Sequence, residues 1–253
     1  MKIEIIKCLQ DNYSYLIIDE KSKSACVVDP SEANPIINFI EKNKIYLKFI
    51  LNTHHHFDHI GGNKELKKKY NAKIIGFEKD KNRIPGIDIC LKDKETWKED
   101  KFAAKIFHIP GHTSGHICFN FFKEKLLFTG DTLFSLGCGR IFEGTYEQMF
   151  NSLNLIKSFP KDTQIYCGHE YTLKNSEFCL RYDKDNKKLK EKIIINKQKI
   201  EKGFPTIPSK LEDELNMNIF LRSDQKDIQR NLNLNNTTSL ETFSKLRDLK
   251  DNF

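Results

Sequence analysis

The sequence predicts an α+β chain in two parts: a strand-rich domain over residues 1–173 and a smaller helical domain over 174–253. Three observations predict it. Short apolar runs rich in Val, Ile, Tyr and Phe alternate with helical patterns through the first two thirds. Several of these runs end in loops that carry Gly, His or Asp. After about residue 173 glycines and β-rich runs nearly vanish, and charged helical periodicity takes over.

Taken in order, IEIIKCL, YSYLIID and ACVVDP read as strands separated by turn residues. Asn34 offers a helix N-cap, with Pro35 at the first helical position and Ile36, Ile37 and Ile40 along one face. YLKFILNT reads as a buried strand running into HHHFDH; a helix follows from Asn63, and AKIIGF is a further strand. FAAKIFHIP, ICFNFF and KLLFTGD continue the pattern. Thr145 and Gln148 have capping-box spacing ahead of a helix with Met149, Leu153 and Ile156 on one side. TQIYCGHEY is the last strand of this part. KKLKEK at 187–192 reads as the exposed face of a helix.

Composition narrows the function classes. Nineteen phenylalanines can fill a core, and the net charge of +7 is spread over a lysine-rich surface. No basic block interleaves with stacking aromatics, so nucleic acid is not the expected partner. Seven cysteines without a CxxC pair fit reduced thiols in the cytoplasm. The N-terminal stretch lacks signal- and transit-peptide character, and no apolar run approaches membrane-spanning length, so no membrane association is expected.

All eight histidines lie between residues 54 and 169. In the extended segment His54-His55-His56-Phe57-Asp58-His59, residues two apart face one way, so His54 and His56 can grip one ion. Asp58 and His59, where the chain must turn, can reach a second; His55 points away. His112 in PGHTSGH, Asp131 in FTGD and His169 in CGHE each close an apolar strand. His108 and His116 read as packing or supporting groups. Neutral imidazole and carboxylate suit two divalent cations, with zinc favoured and iron or manganese also fitting. Two such ions about 3.5–4 Å apart can share and ionise a water, giving a hydroxide nucleophile. There is no GxSxG elbow, Walker-type loop or GxGxxG.

THHHFDH, HTSGH, FTGD and the late GHE together resemble the metallo-β-lactamase superfamily. The resemblance implies an αββα sandwich. It places His54, His56 and His112 on one metal and Asp58, His59 and His169 on the other, with Asp131 bridging. DNYSYLI, GHTSGHICF, FTGDTLFSLGCGRIFEGT, IYCGHEYT, PTIPSKLEDELNMNIFLR and LRDLKDNF are similar to the glyoxalase II, or hydroxyacylglutathione hydrolase, family over essentially the whole chain. That narrower resemblance implies a thioesterase that hydrolyses S-D-lactoylglutathione to glutathione and D-lactate, with Asp58 and Asp131 at the chemistry; the sequence leaves the oligomeric state open, a monomer being favoured. It assigns glutathione contacts to Arg140, Tyr171, Arg247 and Lys250, the last two holding a tripeptide carboxylate; taken alone they read as a solvated helix end. Arg140 stands where the family has lysine, and Phe142 where it has a tyrosine that touches glutathione. A glutathione persulfide dioxygenase or an RNA-processing nuclease of the same fold is the alternative reading.

Overall fold

The computed structural model describes all 253 residues. Packing divides the chain into two compact units: Met1–His108 with Gly115–Gly130, and Ile109–Ser114 with Asp131–Phe253.

The first unit is built on two sheets. One has the order β1 (Lys2–Cys8), β2 (Asn12–Ile18), β3 (Ser24–Val28), β4 (Tyr46–Leu51), β5 (Lys73–Phe77), β6 (Ile89–Leu91). Its first three strands pair antiparallel and β3 through β6 run parallel. The other is an antiparallel meander of β7 (Thr96–Glu99), β8 (Phe102–His108), β9 (Ile117–Phe121) and β10 (Leu126–Gly130). Every residue of β2 and β3 is buried, as expected of strands covered on both faces. On one face Leu16, Ile18, Ala25, Val27 and Ile50 pack with Ile36, Ile37 and Ile40 of α1 (Asn34–Asn43) and Leu66 of α3 (Asn63–Tyr70). On the other, Tyr15 meets Phe128 of the meander at 5.5 Å and Phe49 meets Trp97 at 5.3 Å.

The second unit carries α4 (Tyr146–Lys157), α5 (Thr172–Tyr182), α6 (Lys187–Glu201), α7 (Leu211–Met217), α8 (Lys226–Asn231) and α9 (Ser239–Asp251). It also holds the hairpin β11 (Leu133–Phe134) and β12 (Gly137–Cys138), and β13 (Gln164–Cys167) paired with β14 (Ser209–Lys210). Phe178, Phe220, Phe243 and Phe150 form its aromatic core, with centroids 5.8–6.2 Å apart.

Locally encoded features are present. Thr145 and Gln148 form a reciprocal capping box, and Lys187, Lys188 and Lys190 are exposed on α6. One local reading is corrected: Asn34 is not the cap of α1. Ala33 occupies that position with helical dihedrals and no side-chain cap bond, so the first helical carbonyl is already Ala33 O, accepting Ile37 N at 2.9 Å.

Candidate metal centre

Two sets of ligand-type side chains occur, one in each unit. In the first, β3 and β4 run parallel and adjacent, so the residues following their carboxyl ends, Asp29 and Thr53-His54, emerge at one edge. Asp29 N donates to Leu51 O (2.9 Å), and Asp29 is held at φ 48°, a left-handed conformation costing about 1–3 kcal/mol that surrounding bonds must offset. They do: Thr53 N donates to Asp29 Oδ1 (2.8 Å), Thr53 Oγ1 to Oδ2 (2.6 Å), and His59 Nδ1 lies 3.0 Å from Oδ2.

This network fixes two imidazole tautomers. A carboxylate oxygen only accepts, so His59 Nδ1 carries the proton. The single Thr53 hydroxyl proton goes to Asp29, so Thr53 Oγ1 must accept from His54 Nδ1, 3.0 Å away. In both rings the lone pair therefore sits on Nε2, the form in which histidine binds a cation. Asp29, His54 and His59 have ligand-type atoms within 4.8 Å of one another. With three donors already on its oxygens, Asp29 acts as the orienting carboxylate and not as a ligand. Gly130 makes room for this arrangement: its φ is 48°, and a Cβ there would lie 2.4 Å from Thr53 Oγ1.

His56 is the residue before α2 (Phe57–Ile60), which lifts Asp58 and His59 out of the strand direction. The rings of His54 and His56 lie 4.7 Å apart, those of His54 and His59 4.2 Å, and His59 Nε2 is 3.5 Å from Asp58 Oδ2. Asn12 Nδ2 donates to both Asp58 Oδ2 (3.0 Å) and Asp58 O (3.1 Å), pinning that carboxylate. His55 turns instead to the buried Asp80, 3.5 Å away. His116 stacks on His54 at 4.6 Å, and His108 on Phe77 at 4.7 Å.

In the second unit, Asp131 Oδ2 stands 3.5 Å from His112 Nε2 and 3.3 Å from His169 Nε2. All three side chains are nearly buried. His112 Nδ1 donates to Arg140 O at 2.8 Å, which again places the lone pair on Nε2. His169 stacks on Tyr171 at 4.7 Å with an interplanar angle of 8°. Around this set, Arg140 is exposed, and its Nε contacts Asp251 Oδ1 (3.2 Å), which Arg247 Nη2 also reaches (2.9 Å). Arg247 is buried, with Nη1 on Cys138 O (2.8 Å). Lys250 is half-buried between the rings of Phe178 (5.1 Å) and Phe253 (5.0 Å). Burial, and next the charge of Arg247, lower its pKa to about 8. Phe142 is exposed and edges onto His112 at 5.2 Å, a contact with no hydroxyl to offer.

With Nδ1 committed as donor in His54 and His59 of the first set and in His112 of the second, each mixed N/O donor set fits divalent metal ions. Two functional residues escaped the sequence reading, Asp29 and Asn12. VVDP has the same grammar as FTGD, an apolar strand closed by aspartate, and that signal could have found Asp29.

Residues 10–169 match the model of the metallo-β-lactamase superfamily, and residues 170–253 that of the hydroxyacylglutathione hydrolase C-terminus. The chain is 60% identical over 253 residues, all of both chains, to a hydroxyacylglutathione hydrolase of Pelagibacter ubique. The chain belongs to the hydroxyacylglutathione hydrolase family. A cytoplasmic hydroxyacylglutathione hydrolase of Arabidopsis thaliana is 43% identical over 257 residues, covering 99% of this chain and 98% of that one. Among solved structures, ETHE1 from Myxococcus xanthus superposes with a TM-score of 0.67 at 21% identity, over 99% of this chain and all of the other, a likeness of fold alone. The B3 metallo-β-lactamase BLEG-1 superposes with a TM-score of 0.61 at 25% identity, over 66% of this chain and 91% of the other. The fold of this family member is thus the metallo-β-lactamase fold with the family's helical C-terminal part.

Proposed function

We propose that this chain is a dinuclear metal thioesterase that hydrolyses S-D-lactoylglutathione and other S-2-hydroxyacylglutathiones to glutathione and the 2-hydroxy acid, D-lactate in the first case. That reaction is the second step of methylglyoxal detoxification. In this reading His54, His56 and His112 would hold one ion and Asp58, His59 and His169 the other, with Asp131 serving both. Zinc is the preferred metal, with iron or manganese compatible with the same donors. The observation that carries the proposal is full-length 60% identity to a hydroxyacylglutathione hydrolase, in a chain that keeps imidazoles in the metal-binding tautomer.

Divalent cations held there supply a water acidified to near neutrality and a Lewis acid beside the thioester carbonyl. The protein does the rest. Asp29 and Arg140 O hold three imidazoles in the ligating tautomer, and Asn12 holds the Asp58 carboxylate. Residues 1–173 form the catalytic domain in this reading, and 174–253 the substrate-binding domain. Arg140, Tyr171, Arg247 and Lys250 bind the glutathione part, where cations oppose its carboxylates. The matched C-terminal family segment, residues 170–253, favours the hydrolase over a persulfide dioxygenase or a nuclease. We also propose a cytoplasmic monomer. No helix is long and apolar enough to cross a membrane, and all seven cysteines are unbridged.

The test is hydrolysis of S-D-lactoylglutathione followed at the thioester absorbance. Lys250→Ala raises KM about tenfold or more and leaves kcat nearly unchanged, as loss of one charged contact made equally in ground and transition states requires. The lowered Lys250 pKa adds a pH signature. The amine is cationic below about 8 and neutral above, so wild-type KM rises as pH passes that value. Lys250→Arg, charged throughout, flattens the rise. A KM insensitive to both substitutions removes Lys250 from the glutathione site.

A further inference from the structure

The carbonyl that orients His112 belongs to Arg140, at the end of a loop whose backbone is held by side chains from the helices of the same unit. Asn218 Nδ2 donates to Phe134 O (3.3 Å) and Gly137 O (3.1 Å), Asn175 Nδ2 to Ser135 O (3.1 Å), and Cys179 Sγ to Leu136 O (3.1 Å). The buried Glu214 accepts Leu136 N at 2.8 Å. Arg247 closes the series: Nη1 donates to Cys138 O (2.8 Å) and lies 3.5 Å from Gly139 O. The next carbonyl along the chain is the one that receives His112 Nδ1–H.

We propose that Arg247, beyond any contact with glutathione, is a positioning residue for His112, acting through the 138–140 backbone. This rests on the reading above, in which His112 is a metal ligand. Arg247 grips both ends of Arg140: the backbone through Cys138 and Gly139, and the side chain through Asp251, whose Oδ1 both arginines contact. Little slack separates this grip from the ligands. Gly139 N donates to Thr132 O at 3.2 Å, and a Cβ on Gly139 would sit 1.9 Å from Asp131 O and 3.2 Å from His112 Nδ1. A displacement of residue 139 by a fraction of an ångström therefore reaches both ligands. Arg247 itself is 4% exposed and its guanidinium lies 5.3 Å over Phe220, so it is fixed in place by packing.

A residue that only holds substrate alters KM and leaves metal binding alone; a positioning residue alters metal retention with no substrate present. The experiment compares wild type, Arg247→Met and Arg247→Lys by metal content after dialysis against graded chelator, with thermal unfolding to score the fold and steady-state kinetics alongside. The expected result is that folded Arg247→Met gives up metal at roughly 10–100-fold lower chelator concentration, the usual effect of removing a group that orients a ligand. Arg247→Lys, with one ammonium able to reach Cys138 O but not Asp251 as well, falls between. Should Arg247→Met not fold, the lysine variant alone decides, since positioning requires weaker retention than wild type. Wild-type metal retention in the folded variant tested, with only KM raised, overturns the proposal. A wild type that binds no metal overturns both this proposal and the functional reading beneath it.

Discussion

Asp131→Ala lowers turnover of S-D-lactoylglutathione by on the order of a thousandfold and leaves the protein short of metal, measured as kcat and metal content on one preparation. The size follows from what the side chain does. Its Oδ2 lies within 3.5 Å of both His112 and His169, so one carboxylate is shared by two ligands assigned to different ions. Removing a single preorganised charged group from a catalytic site costs about 10²–10³ in rate, and here the nucleophile itself depends on the ions being held. Alanine is no burden on the fold, because a buried carboxylate without a cation is itself costly. Full activity in a metal-poor Asp131→Ala protein contradicts the assignment.

The second large effect comes from a residue that touches no ion. Asp29→Asn keeps size and shape, yet three N–H or O–H donors converge on the two oxygens of Asp29. An amide has one oxygen. If the NH2 group takes the place of Oδ1, it confronts Thr53 N–H. If it takes the place of Oδ2, it confronts Thr53 Oγ1 and His59 Nδ1, and the ring escapes by moving its proton to Nε2, where it can no longer ligate. Either way the amide lacks the carboxylate charge that raises the basicity of His59 as a ligand, so the variant loses roughly 10–100-fold in metal affinity, read by chelator competition. A buried donor left unmatched also lowers stability by about 1–3 kcal/mol, read by thermal unfolding. Wild-type metal affinity in the Asp29→Asn variant would show that the carboxylate does not set the tautomers.

The contrast between Asp131 and Asp29 explains what the sequence made legible. His54, His56, Asp58 and His59 sit within six residues, so their shared direction follows from strand periodicity and one turn. The capping box at Thr145 and Gln148 is readable for the same reason: its partners are three residues apart. Asp29 acts on Thr53 and His59, 24 and 30 residues away, and only the parallel register of β3 and β4 brings them together. Asn12 reaches Asp58 across 46 residues, and Arg247 reaches Cys138 across 109. Local pattern carries no information on such pairs. Short elements escape too: β6, β7 and the two-residue β11, β12 and β14 lack the length for a periodic signal. Asn34 reads as a cap because Asn followed by Pro is a strong local start signal, whereas the backbone begins its turn one residue earlier at Ala33.

The most direct test of the centre is a metal titration of chelated protein. Protein stripped of metal should hydrolyse S-D-lactoylglutathione at no more than a trace of the native rate. Activity should return with added zinc, iron or manganese and saturate at two equivalents per chain. Stripped protein working at the native rate, or full activity regained at one equivalent, would contradict a centre of two ions held by seven side chains.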